Sequence, residues 1–276
     1  MKNAGIVAVS DDGKSVMNAN IMRRALEYSK MFNLPVISHC EDINLTKDGE
    51  MNEGYISTVL GLKGIPRQAE EIMVARDIAL CELTGGHLHV AHISTAKSVE
   101  LIRDAKKRGL KVTAEVAPHH FSLTDEEIKK RNYDTNLKIN PPLRTEKDIE
   151  ALICGLVDGT IDCIASDHAP HLEEEKQQEF KVAPFGIIGL ETTLPLVITK
   201  LVNKKVITLF QAIEKLTSNP ARIFNLNCGT LSVGSNADIT IINPQKTKAI
   251  ERFCSKSKNS PFIGMELTGF ADTPIV

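Results

Sequence analysis

A parallel α/β fold is predicted by three features of this sequence: short apolar or β-branched runs alternate with longer segments of helical period, the alternation recurs five times, and helix-starting residues stand where several of those segments begin. The 276 residues, 42% hydrophobic and 25% charged, are enough to bury a substantial core, which excludes a disordered tail.

Residues 5–9 read as a strand, and residues 18–30, with apolar side chains at three- and four-residue spacing, as a helix. The pairs that follow are 35–39 with 67–83, 87–93 with 96–108, and 111–117 with 125–130. A last strand, 162–166, leads to a helix inside 189–202. Nearly continuous apolar strands separated by amphipathic helices imply parallel βαβ units covered on both faces. Thr95 and Thr124 supply N-cap side chains, with Asp125, Glu126 and Glu127 as first-turn carboxylates. From residue 227 the pattern changes: Gly229, Gly234 and the alternating run 237–242 predict a turn-rich β appendage. The chain is therefore divided into residues 1–226 and 227–276.

The net charge is −2 and charges of both signs are interspersed, so the electrostatic footprint of a nucleic-acid or anionic-membrane binder is absent. There is no basic segment followed by an apolar one at residues 1–9 and no apolar run of spanning length, so a cytoplasmic protein acting on a small molecule is expected. Six cysteines without C-x-x-C spacing are expected to be reduced, mostly core residues.

The residues suited to chemistry share one structural position. Asp11 and Asp12 follow the first strand, His39 ends the second, His92 lies near the end of the third, and Asp167 and His168 follow the fifth. In parallel α/β architectures the carboxyl ends of the strands face one way, so residues distant in sequence converge there. Carboxylate and imidazole groups in combination suit zinc. Each residue also has an ordinary reading, a hydrogen-bonded structural histidine or, for Asp11-Asp12-Gly13, a turn. His87 and His89 begin the third strand, at the opposite end, which predicts structural or surface roles. His119 and His120 close the fourth strand at the correct end and are second-tier candidates to orient a ligand or line the pocket.

A series of motifs carries more. Ala-Val-Ser-Asp-Asp-Gly (8–13), Ser-His-Cys-Glu-Asp (38–42), Met-Asn-Glu-Gly (51–54), Ala-His-Ile-Ser-Thr (91–95) and Ala-Glu-Val-Ala-Pro-His-His (114–120) form its first part. Asn-Pro-Pro-Leu-Arg (140–144), Ser-Asp-His-Ala-Pro-His (166–171), Pro-Phe-Gly-Ile-Ile-Gly-Leu-Glu-Thr (184–192) and Ser-Asn-Pro-Ala (218–221) complete it. In order and spacing the series resembles the class I dihydroorotases of the amidohydrolase superfamily, along essentially the whole chain.

The resemblance implies a partial TIM-type (β/α)8 barrel, made of that family's strands four to eight, with a C-terminal β-rich remnant of a composite sandwich domain. It implies two Zn2+ ions, with Asp12 bridging them, His39 and His92 holding one, and Asp167 touching the other and moving the proton. Asn140, His171 and the backbone at Phe185 and Gly186 correspond to positions that hold the dihydropyrimidine ring and its carboxylate. The implied reaction is the reversible hydrolysis of dihydroorotate to N-carbamoyl-aspartate in pyrimidine biosynthesis.

The family's first-strand His-x-His pair, its nearby arginine and the asparagine after its second strand have no counterpart here. A truncated chain, from a fragment, split gene or shortened gene model, is the expectation, inactive alone and prone to associate through open sheet edges. A second copy of the chain, making a homo-oligomer, and an aspartate transcarbamoylase are the candidate protein partners. Two other readings remain open. One is a related cyclic amidase of hydantoinase or allantoinase type, whose relatives usually bridge their metals with a carboxylated lysine where this chain has Asp12. The other is a non-catalytic scaffold for aspartate transcarbamoylase.

Overall fold

The computed structural model of the protein describes residues 1–275. In chain order the strands are β1 (Val9–Ser10), β2 (Val36–Ser38), β3 (Met51–Asn52), β4 (Gly64–Ile65), β5 (Leu88–Val90), β6 (Val112–Val116), β7 (Cys163–Ile164), β8 (Ile239–Ala249) and β9 (Glu266–Ile275). Five of them form one sheet in the order β1-β2-β5-β6-β7, parallel at every pairing. The pairs β3-β4 and β8-β9 are separate two-stranded sheets, the first parallel and the second antiparallel.

Register decides what each face of the main sheet carries. Val36, Leu88 and Val112 stand side by side, as do Ser38, Val90 and Ala114. The apolar members are buried with Met22, Leu26, Val74, Ile78, Ile102 and Leu152, which come from helices Ala19–Met31, Gln68–Thr84, Ala96–Lys107 and Glu146–Asp158. Alternate residues point to the other face. There Ile37, His89 and Thr113 share a row, and Glu115 pairs with Cys163. The nearly continuous apolar strands expected from the sequence thus alternate, and the face opposite the helices carries His89, Thr113 and Glu115 beside Ile37.

The four strand-helix pairs through residue 130 lie within a few residues of their expected positions, and the helix expected in 189–202 is Thr193–Val197, continued by a π-turn over Ile198–Val202. Thr95 caps its helix by accepting from Ser98 N. Thr124 does not act as a cap: Asp125 is the N-cap residue of Glu126–Lys130, without a side-chain cap bond, and its carboxylate accepts from Asn52 Nδ2 at 2.7 Å. Helix Glu146–Asp158 was not among the expected elements, although Thr145 and Asp148 form a capping box at its start.

A second core lies among the loops. Leu137, Ile139, Leu143, Phe180, Ile187, Ile188 and Leu196 are buried together with Phe253, Phe262 and Leu267 from the C-terminal segment. The antiparallel β8-β9 pair begins at Ile239, and Thr268 ties it to the π-turn by donating its N–H to Thr199 Oγ1 at 2.8 Å. Cys40, Cys81 and Cys163 are buried, but Cys154, Cys228 and Cys254 are exposed, so the core reading of the cysteines holds for half of them; all six are free thiols. No helix of the described residues is long and apolar enough to cross a membrane.

Glu70, in the first turn of Gln68–Thr84, is buried and serves the loop that follows β5. It accepts from Ser94 N and Thr95 N, both at 3.1 Å, from Ser98 Oγ at 2.7 Å, and from Ser94 Oγ. The buried Arg144 guanidinium completes the cluster, donating to Ser94 Oγ, Asn52 Oδ1 and Ile65 O. Removing the acceptor strands several buried donors beside a buried cation, so Glu70→Ala is expected to cost about 3 kcal/mol or more in urea unfolding. A midpoint close to that of the unsubstituted protein would show that this network is dispensable.

Candidate metal centre at the carboxyl ends of the strands

The two adjacent aspartates after β1 divide their labour. Asp11 Oδ2 accepts from Val16 N and its Oδ1 from His39 N, both at 2.8 Å, which closes the turn and ties the end of β1 to the end of β2. Asp12 instead reaches the imidazoles: its Oδ1 lies 3.5 Å from His39 Nδ1 and 3.6 Å from His92 Nε2. Those two nitrogens are 2.9 Å apart. Both histidines are buried, while Asp12 is exposed at the rim.

His92 and Asp167 have positive φ, 26° and 48°. Non-glycine residues rarely adopt that region, and it persists where neighbours over-determine the backbone. Around His92 they do: Ile93 N donates to Glu115 O at 3.0 Å, and Ser94 and Thr95 are held by Glu70.

The electrostatics of the cluster favour a cation. Contact with His39 and then His92 holds the Asp12 carboxyl far below the usual carboxylate range. Burial pulls the His39 imidazolium down, but its contacts with Asp12 and Glu41 outweigh burial and push it up to about 9. His92 is raised as well, with burial overcome by Asp12 and the charge of Asp167.

Geometry agrees with that chemistry. Ligand atoms about 2 Å from a tetrahedral zinc are separated by roughly 3.3 Å, and the Asp12, His39 and His92 atoms, at 2.9, 3.5 and 3.6 Å from one another, bracket that value. Two imidazole nitrogens and one carboxylate oxygen are the donors zinc takes. The residues present therefore fit a divalent metal.

Asp167 stands outside this triangle. Its Oδ2 is 3.5 Å from His119 Nε2, a buried atom without a hydrogen-bond partner among the described residues. Burial opposes ionisation of Asp167, yet His119 and the charge of His92 keep it well below the usual carboxylate range. His120 is turned away, its Nε2 donating to Pro141 O at 2.9 Å, and burial together with the neighbouring His119 holds it well below the usual imidazole range.

Asn140 joins the metal-side cluster, its Nδ2 donating to Glu41 Oε2 at 2.8 Å. Burial works against the Glu41 carboxylate, but bonds from His39, Thr46 and Asn140 bring it down to about 2. His171 and Phe185 also meet: His171 Nε2 donates to Phe185 O at 2.7 Å. Gly186 has both backbone groups engaged, its N–H by Lys138 O and its carbonyl by Lys176 Nζ and Asn259 Nδ2. At φ 127° this position needs glycine, and a Cβ there would lie 2.6 Å from Ala169 Cβ and 3.0 Å from His171 Nε2. The missing side chain at buried Gly186 is what lets Ala169 and His171 pack against this backbone.

Five residues were not singled out by sequence. Glu41 sits inside the 38–42 motif, and its place two residues after a strand-end histidine was the available signal. Asn259 clamps Ala169 O and Gly186 O, while Lys138 and Lys176, both buried, donate to the carbonyls of Phe180, Lys181, Pro184 and Gly186. Asp77, buried under β2, accepts from Ser38 Oγ at 2.7 Å. A second group with metal-ligand atoms, His89, Glu115 and Cys163, lies on the polar face of the sheet. There both ring nitrogens of His89 are already bonded, Nδ1 to Thr113 Oγ1 at 2.8 Å and Nε2 to Glu115 Oε2 at 3.1 Å, in keeping with the structural role expected of it.

Known proteins resemble this chain along its whole length. The dihydroorotase of Endomicrobium trichonymphae is 60% identical over 279 residues, and that of Pelotomaculum thermopropionicum 58% over 278, each alignment covering 100% of this chain. The chain spans 66% and 65% of those two relatives. Among solved structures, an L-hydantoinase (dihydropyrimidinase) from Arthrobacter aurescens superposes with a TM-score of 0.88 at 27% identity, covering 100% of this chain and 64% of that one. A dihydropyrimidinase from Brevibacillus agri does so at 0.85 and 26%, covering 99% and 63%. The profile described as the Amidohydrolase family matches residues 1–276, and the chain belongs to that family.

Proposed function

We propose that this chain carries the metal-binding, proton-transfer and ring-binding residues of a zinc-dependent dihydroorotase, acting on the cyclic amide of dihydroorotate, with N-carbamoyl-aspartate as the product. The observation that carries the reading is the Asp12-His39-His92 triangle at the carboxyl ends of β1, β2 and β5. The relatives named dihydroorotase, at 52–60% identity, favour this substrate over that of the hydantoinases, which share the shape at 24–27%. In this reading the parallel sheet is part of a (β/α)8 barrel, and residues 227–276 form a β-rich appendage to it.

Asp12, His39 and His92 would hold the metal. Zinc, when bound, supplies Lewis-acid polarisation of the ring carbonyl and activation of water near neutral pH. Asp167 stays ionised, takes the proton of the attacking water and returns it to the ring nitrogen as the C–N bond breaks. Asn140 contributes its amide to the ring. His171 holds the Phe185-Gly186 backbone against which the substrate would rest.

Three measurements test this. Calorimetric titration of zinc-loaded protein with dihydroorotate, hydantoin and allantoin, alongside turnover assays, should show selective binding of dihydroorotate; the binding readout does not depend on the chain turning over unaided. A preference for hydantoin would overturn the substrate assignment. In an enzyme completed by the family's first strands, Asp167→Asn should fold normally and lose at least about a hundredfold in kcat, the scale of a general acid-base group. Near-normal turnover by that variant would remove the proton role.

The third is pH dependence. The folded value of His39, about 9, lies above the 6.5 of an ordinary imidazole, so its contribution to the stability of metal-free protein is complete below 6.5 and is lost as pH rises through about 9. Zinc must displace that proton, so zinc affinity should rise by up to about tenfold per pH unit over the same window. Urea midpoints of metal-free protein should fall across this range, and His39→Asn should flatten the trend. An unchanged slope in that variant would assign the effect elsewhere.

A further inference from the structure

Glu41 does something that the ligand triangle alone does not explain. One of its oxygens, Oε2, faces two donors at once, His39 Nε2 at 2.9 Å and Asn140 Nδ2 at 2.8 Å. The neighbouring Asp42 caps the following turn by accepting from Asn44 N at 2.9 Å, and Glu41, besides its bond from Thr46 at the end of that turn, faces back toward the site. Its side chain is 19% exposed and that of His39 only 4%, which leaves little room for water to take its place.

An ionised carboxylate only accepts hydrogen bonds. His39 therefore presents Nε2–H to Glu41, and the free lone pair of the neutral ring falls on Nδ1, the atom that faces Asp12 and His92. Asn140 Nδ2 and His39 Nε2 are 3.3 Å apart, two donors side by side, and the carboxylate is what allows them to stay there. The same oxygen draws the NH2 end of Asn140 toward itself. The carbonyl end of that amide is then the one left for the N–H of a ligand.

We infer that Glu41 is a positioning residue that fixes the His39 ring with Nδ1 as the metal donor and, through the same carboxylate oxygen, fixes the amide orientation of Asn140. Metal ligand and ring-binding residue are thereby referred to one anchor, and a shift in one is transmitted to the other. Carboxylates behind metal-bound histidines generally fix the tautomer and raise ligand basicity. The inference rests on the metal reading proposed above for the Asp12-His39-His92 cluster.

The test measures zinc affinity of this chain by competition with a chromophoric chelator, for the unsubstituted protein, Glu41→Ala and Glu41→Gln, with circular dichroism as a check on folding. Glu41→Ala is expected to weaken zinc binding by about 10- to 100-fold. Glu41→Gln keeps an acceptor for His39 and should recover most of that loss, to within about threefold of the unsubstituted protein. Long-range proton-nitrogen NMR of the zinc-loaded proteins should show a protonated Nε2 and a metal-bound Nδ1 on His39 in the unsubstituted and Gln forms, and a mixture in the Ala form.

Unchanged zinc affinity in Glu41→Ala overturns the inference and leaves the metal reading intact. So does a well-folded Glu41→Gln that binds zinc as weakly as the Ala variant, because charge and not ring orientation would then be at work. An unsubstituted chain that takes up no zinc overturns the metal reading, and the inference with it.

Discussion

Parallel pairing is the constraint from which the rest of the site follows. With β1, β2, β5, β6 and β7 all running one way, each strand delivers the residues after it to the same edge of the sheet. Asp12, His39, His92 and Asp167 are separated by up to 155 positions in sequence (167 − 12), yet each stands at or just past such a strand end. The apolar residues on the helix-facing side hold that edge in place. Val36, Leu88, Val90, Val112 and Ala114 are packed in register, and a slip by one residue would turn every one of them to the polar face.

Gathering these groups creates an electrostatic problem that the surroundings answer in layers. Two buried imidazoles within hydrogen-bond distance need negative neighbours, and they have Asp12 at the rim and Glu41 behind. Behind β2, Ser38 leans on the buried Asp77; behind the turn after His92, Glu70 collects the free backbone N–H groups. The left-handed backbone at His92 is tolerable because so many bonds specify it. The loops that carry Asn140 and Phe185 have their own apolar core, to which Phe253, Phe262 and Leu267 contribute. Asn259 from the same C-terminal stretch bonds Ala169 O and Gly186 O. The C-terminal segment is thus structurally continuous with the site, and not only an appendage at its side.

Local periodicity made most of the α/β alternation readable, because helix and strand periods differ and each strand end is marked by a change between them. Candidate residues were readable for the same reason: a histidine or aspartate at a strand's end has a known direction. What failed was whatever depends on partners far away in sequence. Thr145 and Asp148 do form a local capping box, but helix Glu146–Asp158 follows a long irregular stretch that gave it no strand to pair with. Strands β3 and β4, two residues each, pair only with each other and lie outside the main sheet. Glu41 acquires its role only by meeting Asn140, 99 residues away, and Asn259 only by meeting Ala169, 90 residues away. Asp11 and Asp12 are chemically the same residue in adjacent positions; only the fold decides which closes the turn and which faces the histidines.

Shape does not choose the substrate in this family. Solved hydantoinases share this chain's architecture at 24–27% identity, so the fold by itself does not name a substrate. The short carboxylate of Asp12 reaches both imidazoles directly from the turn after β1. A longer side chain there would have to fold back to place its oxygen within the same triangle. The surroundings are matched to the short one: Asp11 pins the turn from both sides, and Ser15 Oγ donates to His39 O at 2.5 Å, drawing the β1 turn against β2. Turn geometry at this corner is therefore one packing problem, in which the length of the residue following Asp11 sets how close the two strand ends must come.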